Sequence, residues 1–380
     1  MASLFKKLTA KTPSELVKAL KEVLEDIQDK PSKKQTEELN KYIQQMKGII
    51  QGATTPIARA TPGGGEDDGD NDDNDNDGDE DGDDSKEAEK KPSGGASSEH
   101  DEEQQRLNET NFVMLSNGVY DEGLLYLLVE HIDYFEFERR MDVVYIFTHL
   151  VNRTVGTRTP TIEHILRGKA RLTDMLVHGY DRDIKIAICT GSMLRCCLGH
   201  EPLAKLVLNS AGFWDFFRYV QSDHFDLATD AFTSFHDTLT VHKDLVADFL
   251  KKNYDKFFGS YSALMSSTNF VTKKQSIKLL GEVLLDRTNF DTMMRYIAST
   301  KNLKQIMILL RDKSRPIQYE AFHLFKVFVA NPKKTQQIIE VLKRNKDALV
   351  MYLQDFQNDR TDEDQFTEEK AYLIEQIKEL

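Results

Sequence analysis

The chain is poor in the residues that staple a fold or build a chemical centre. Its three cysteines, Cys189, Cys196 and Cys197, are an odd number confined to one short segment, with no CxxC pair and no histidine at zinc spacing. That argues against a disulfide framework and a zinc knuckle, so the thiols read as reduced core groups. No run of about 18 or more apolar residues exists to span a bilayer, and MASLFKKLTAKTPSEL lacks the apolar stretch of a secretory leader. A soluble, cytoplasmic protein is expected. Convincing apolar/polar alternation is also missing, so no sheet is expected. The ten histidines form no HExxH, no GxSxG marks a nucleophile, and Gly63 to Gly65 precede neither a strand nor a GK[ST] sequence. His200-Glu201 beside Pro202 reads as a helix-entry turn. No catalytic residue, metal or cofactor is expected, and the chain is read as a non-enzyme.

Positive charge in excess is lacking as well. The formal charge is −13, but Glu66 to Asp84 hold thirteen acidic residues and no Lys or Arg, so the rest of the chain carries no net charge. Counterion-release binding to nucleic acid has no global support. Within the acidic tract, Asp73, Asp75, Asp77, Gly78 and Asp84 copy positions of a calcium loop. Position twelve is Asp in place of bidentate Glu, Glu80 stands where an apolar residue packs, and no helix flanks the run. An Asp-rich tract produces such a pattern by composition, and weak divalent-ion screening is the reading taken.

What the chain does have is helical periodicity. Thr12, Pro13 and Glu15 form a capping box ahead of the stripe Leu16, Leu20, Val23, Leu24 and Ile27. A second helix is expected from about Lys34 to Ile50, stopped at Gly52. From Ala53 the pattern dissolves into a composition that cannot bury enough surface to offset its ordering entropy. It resumes near Gln105, breaks at Gly118, and continues as helices punctuated by GTRTP at 156–160, HEP at 200–202 and NP at 331–332. From Lys334 one helix is expected to run to about Gln354, then the link QNDRTDED and a last helix that caps the array. The organisation is residues 1–52 as N-terminal helices, 53–104 as a disordered acidic insertion, and 105–380 as helical repeats.

A register recurs through the repeats: Ala187-Ile188, Ala231-Phe232, Ser276-Ile277 and Ala321-Phe322 follow at steps of 44, 45 and 45 residues. A small residue then a bulky one at this period points to an all-α, armadillo/HEAT-like, right-handed helical solenoid. Such an array exposes a long ridge that suits another protein better than a small substrate. On the segment from Phe270 to Asp286, Ile277, Leu280, Leu284 and Leu285 suit a buried side, while Lys274 and Lys278 project one turn apart, followed by Arg287 and Phe290. This is either a solvated face or an interface with cationic and aromatic anchors.

Longer strings are more specific: GTRTPT at 156–161, HEPLAK at 200–205, FFRYV at 216–220, LLRDKSR at 309–315, AFHLFKVFVANP at 321–332 and FQNDRTDEDQF at 356–366. Together they resemble the calcium-binding protein thirty-nine family, also called Mo-twenty-five, over nearly the whole chain outside the acidic insertion. The resemblance implies a noncatalytic scaffold that binds and allosterically activates sterile-twenty-type kinases or pseudokinases in intracellular signalling, with a general protein-protein adaptor as the alternative. It further implies that Phe225, Phe270, Lys274, Lys278, Arg287 and Phe290 lie on a concave kinase-facing surface. Phe270 replaces a tyrosine of the animal pattern and Lys274 an arginine, removing a hydroxyl and a bidentate fork. Met307 falls where the family has a C-terminal pocket for a Trp-Glu-Phe tail of a pseudokinase, although a core methionine on the Leu303, Met307, Leu310 stripe fits as well.

Overall fold

The computed structural model describes residues 11–54, 96–360 and 364–380. Among them nineteen α-helices and a few 3-10 turns make up the regular structure, and the only β pairing is an isolated bridge between Val155 and Arg158 inside the GTRTP turn. The chain divides into two compact units between Leu124 and Leu125.

The first unit is three mutually packed helices, α1 (Pro13–Asp26), α2 (Lys33–Thr54) and α3 (Ala96–Asp121). The capping box forms as expected. The Thr12 hydroxyl accepts from the Glu15 amide at 3.3 Å, and the Thr12 amide donates to Glu15 Oε2 at 2.9 Å. Leu16, Leu20 and Leu24 of α1 meet Leu39, Ile43, Met46 and Ile50 of α2 and Phe112, Leu115 and Val119 of α3 in the core.

Both glycines expected to end helices lie inside them. Helix α2 continues past Gly52 to Thr54, where the Gly52 carbonyl accepts from Asn108 Nδ2 of α3 at 2.9 Å. Helix α3 runs through Gly118 to Asp121, packed there against Val17 of α1. The expected boundary at residue 104 falls within α3, whose first turns are polar and rich in strong helix formers. The calcium-like pattern from Asp73 to Asp84 lies outside the described residues, as does most of the acidic insertion.

In the second unit six helices pack side by side in chain order: α4 (Phe137–Val151), α5 (Ile184–Leu198), α6 (Phe225–Thr240), α7 (Phe270–Leu285), α8 (Arg315–Ala330) and α9 (Asp364–Lys378). Shorter helices connect and back them, in the manner of a helical solenoid. The recurring register explains the contacts. Ala231, Ser276 and Ala321 are each the seventh residue of their helix and fully buried, and Phe232, Ile277 and Phe322 behind them are buried too.

The first pair of the register is out of phase. Ala187 is only the fourth residue of α5, and Ile188 is 42% exposed. The seventh position of α5 is Thr190, followed by Gly191, whose absent side chain leaves room for a polar knot. In it Arg195 grips Asp230 through two hydrogen bonds of 2.9 Å, and the Tyr180 hydroxyl donates to Asp230 at 2.7 Å. Burial pushes the Tyr180 hydroxyl far up from its ordinary value.

Cys189 and Cys197 are buried, Cys196 is half-buried, and all three are free. Burial raises each thiol's pKa, which makes the group inert. The helix expected from Lys334 to Gln354 is two, Gln336–Arg344 and Lys346–Asp355. It breaks at Asn345, whose side-chain amide donates to the Val341 carbonyl at 2.7 Å and satisfies the end of the first piece. Helix α9 then packs on α8 and on the helix Lys346–Asp355, burying Phe366, Leu373 and Ile377.

Candidate functional site

Helices α6 and α7 carry four of the residues singled out from the sequence. Phe225 and Phe270 are the first residues of α6 and α7, and they are 62% and 47% exposed. An aromatic at a helix's first position has its backbone fixed by the cap but its ring free. Helix α7 is capped by Asn269, whose Oδ1 accepts from the amides of Val271 at 2.9 Å and Thr272 at 3.2 Å.

One and two turns further along α7 stand Lys274, half-buried, and Lys278, exposed. Neither ammonium has a hydrogen-bond or ion-pair partner among the described residues, whereas neighbouring Lys273 is held by Asp312 at 3.2 Å. The nearest compensating charge is Glu320 of α8, half-buried. Burial pushes its carboxyl up, opposed in turn by Lys274, Lys278 and Arg360.

Beyond the far end of α7, Arg287 is exposed and Phe290 is 58% exposed at the start of the helix Phe290–Ile297. Sixteen residues of α7 separate the Phe270 end from the Arg287 end, about 24 Å at the helical rise. The six residues do not converge on one cavity. They lie at both ends of α7 and at the start of α6, a spacing too wide for a small substrate.

Between the two ends, His236 of α6 bridges to α7. Its Nε2 lies 3.1 Å from Glu282 Oε2, and its Nδ1 lies 3.3 Å from Asp237 Oδ1. The hydrogen bond to Asp237, followed by that to Glu282, raises the imidazole pKa against its burial. His200, by contrast, pairs with Asn152 at 2.8 Å at the mouth of the helix Glu201–Asn209, and burial lowers its pKa. It fills the expected entry-turn position.

Met307 is half-buried on the helix Thr300–Leu310, turned away from the fully buried stripe of Leu303, Ile306 and Leu310. It lines a cavity of about 830 Å³ whose apolar wall includes Leu349, Met351, Tyr352 and Phe356, and whose rim carries Arg311, Arg315, Asp355 and Asp359. Arg315 and Asp359 pair across that rim, and the Tyr352 hydroxyl donates to the Leu310 carbonyl. Sequence reading picked out Met307 alone. Tyr352 and Phe356 arrive from more than forty residues downstream, and the only local signal was the apolar MYL triplet at 351–353.

Missed altogether was the continuation of exposed apolar side chains onto earlier helices, at Phe137 and Met141 of α4 and Ile188 of α5. Their signal was apolar residues lying off the buried stripe. Among the described residues no group of three or more His, Cys, Asp or Glu side chains is placed to hold a metal ion. No single described helix is long and apolar enough to cross a membrane.

Comparison with known proteins gives the family. The Mo25-like family model matches residues 95–380. A human protein named calcium-binding protein 39-like is 43% identical over 372 residues, covering 97% of this chain and 95% of its own length. MO25-like protein 2 of Caenorhabditis elegans is 52% identical over 273 residues, 72% of this chain and 80% of that protein. The Mo25-like protein of Schizosaccharomyces pombe is 47% identical over 266 residues, 70% of this chain and 80% of its own.

Proposed function

The chain belongs to the Mo25-like family, and on that premise we propose that it is a noncatalytic cytoplasmic scaffold that binds and allosterically activates sterile-twenty-type kinases or pseudokinases. The observation that carries the reading is the pairing, on neighbouring helices, of exposed Phe225 and Phe270 with Lys274 and Lys278, two cations without an ion-pair partner among the described residues. Aromatic rings supply apolar contact area at low entropic cost, and the free ammonium groups select an acidic partner surface.

The mechanism is a population shift. A stacked helical ridge complementary to a kinase only in its active arrangement drains the inactive population toward it. A preference of about 10²-fold to 10⁴-fold for the active form corresponds to roughly 3 to 5.5 kcal/mol of differential binding, within reach of a few packed anchors. Phe290 and Arg287, a helix length away, give the same partner a second purchase. The Met307 cavity takes a Trp-Glu-Phe-like tail of a pseudokinase: its apolar wall suits the two aromatic rings, and Arg311 on the rim suits the carboxylate.

Binding of a purified sterile-twenty-type kinase to the wild-type chain and to Lys274→Glu, with unfolding monitored in parallel, tests the reading. Weakened binding by a variant of unchanged stability supports it, and equal binding by both removes the ridge from the account. The alternative, a general adaptor without kinase activation, predicts binding with no change in kinase turnover.

A further inference from the structure

A second cavity, of about 420 Å³, opens where α7 and α8 end. Leu285, the last residue of α7, is 54% exposed at its mouth. Val327 and Ala330 of α8 form one wall, Phe290 and Met294 the other, and Lys333 stands on the turn beyond. The size falls within the range of sites that seat a ligand or a pair of side chains. Methionine in the wall lets such a slot adapt to the shape of its occupant.

The charges that line it have one sign. The only ionisable residues lining the slot are Lys326 and Lys333. Lys326 is already committed to Glu369 at 2.6 Å, whereas the Lys333 ammonium is exposed and has no partner among the described residues. Lys334, next in the chain, is half-buried with its pKa lowered by desolvation alone, so no carboxylate compensates it. Arg287, three residues before Phe290, is likewise exposed without an ion pair among the described residues. The local acids are spoken for: Asp286 by Lys243 at 2.7 Å and Asp291 by Lys251 at 2.9 Å. An apolar slot beside unpaired cations, with no free carboxylate in its lining, complements one kind of segment.

We propose that this slot is a peptide-docking site for a protein partner, taking a bulky apolar side chain flanked by Asp or Glu. The inference rests on the chain being a protein-binding scaffold but uses a cavity separate from that of Met307. Its anchor would enter between Leu285, Met294 and Val327, with the acidic flanks meeting Lys333 and Arg287. Affinity would fall with added salt, because the cations are solvent-exposed.

The test selects short random peptides displayed on phage against the full-length wild-type chain, then counter-selects with Leu285→Glu/Lys333→Glu. Both side chains are exposed, so the double variant retains its core. The expected survivors carry Phe, Leu or Trp next to Asp or Glu. Made synthetically, they bind the double variant about tenfold or more weakly, as for loss of an interface anchor, and bind Met307→Glu as well as wild type. Recovery of peptides that bind only elsewhere, of none at all, or of Leu285-dependent peptides without acidic flanks overturns the proposal. Kinase stimulation lost in Lys274→Glu with no slot-dependent peptide sinks the slot alone. Slot-dependent peptides on a chain that stimulates no kinase leave the slot and sink the kinase reading.

Discussion

Arg195 of α5 and Asp230 of α6 form a two-pronged ion pair, both contacts 2.9 Å, in the seam between neighbouring ridge helices. Both side chains are largely withdrawn from water, so each depends on the other for its solvation. Asp230→Ala leaves the guanidinium and the Tyr180 hydroxyl short of an acceptor. It is expected to destabilise the second unit by about 3 kcal/mol, and Arg195→Ala by a similar amount. Urea denaturation of the two single variants and the double checks this, with the double costing clearly less than the sum of the singles.

The same knot gives one substitution opposite effects at two helical glycines. A Cβ at Gly191 would lie 2.2 Å from Asp230 Oδ2 and 2.5 Å from the Tyr180 hydroxyl, whereas at Gly281 of α7 the nearest atom, on Leu324, is 3.8 Å away. Gly191→Ala should cost about 1–3 kcal/mol through overpacking. Gly281→Ala should stabilise by about 0.5–1 kcal/mol through helix propensity alone. Thermal melts of the two variants decide between these signs.

These glycines also show what could and could not be read in advance. The period of the repeats was legible because Ala231, Ser276 and Ala321 must each be small where one ridge helix crosses the next. The phase of α5 was not, because the small residue there is Gly191, serving a polar knot made with residues about forty positions on. Gly52 and Gly118 read as stops because local propensity was the only information, and packing against Asn108 and Val17 overrides it. Lys274 and Lys278 were legible as a projecting pair, while the functional weight of Phe225, Phe270 and Met307 came from resemblance. Their placement on a face and a cavity wall depends on side chains that converge only when the helices stack.

Two groups on the ridge make stability depend on pH in opposite directions. Hydrogen bonds from Lys243, then Thr288, hold the Asp286 carboxyl at about 2, below its ordinary 3.8. Its contribution is present above pH 3.8 and is lost as pH falls toward 2. The His236 pKa is raised from 6.5, so its contribution is complete below that value and is lost as pH rises through the folded pKa. Asp286→Asn should therefore cost stability at neutral pH and nothing at the acid limit. His236→Gln should cost more below pH 6.5 than well above it. Denaturation midpoints of both variants across a pH series are the check.

Phe225→Ala and Phe270→Ala remove rings that solvent already reaches. Each should change folding stability by less than about 0.5 kcal/mol while weakening kinase association several-fold. Calorimetric titration of kinase into each variant, alongside its melt, separates binding from folding.

Met307→Glu places a carboxylate in the wall of the 830 Å³ cavity, among Leu349, Tyr352 and Phe356. Binding of a synthetic Trp-Glu-Phe-terminated peptide should fall by tenfold or more, as for loss of a buried anchor, with ridge-dependent kinase binding retained. Fluorescence anisotropy of the labelled peptide measures the first effect directly.

Kinase activation through this ridge is decided by the turnover of a sterile-twenty-type kinase assayed with the full-length chain and with Lys274→Glu/Phe290→Ala at equal concentration. Strong stimulation by the wild type and little by a double variant whose melting curve is unchanged is the expected result. Equal stimulation by a well-folded double variant, or none by the wild type with any kinase it binds, would contradict it.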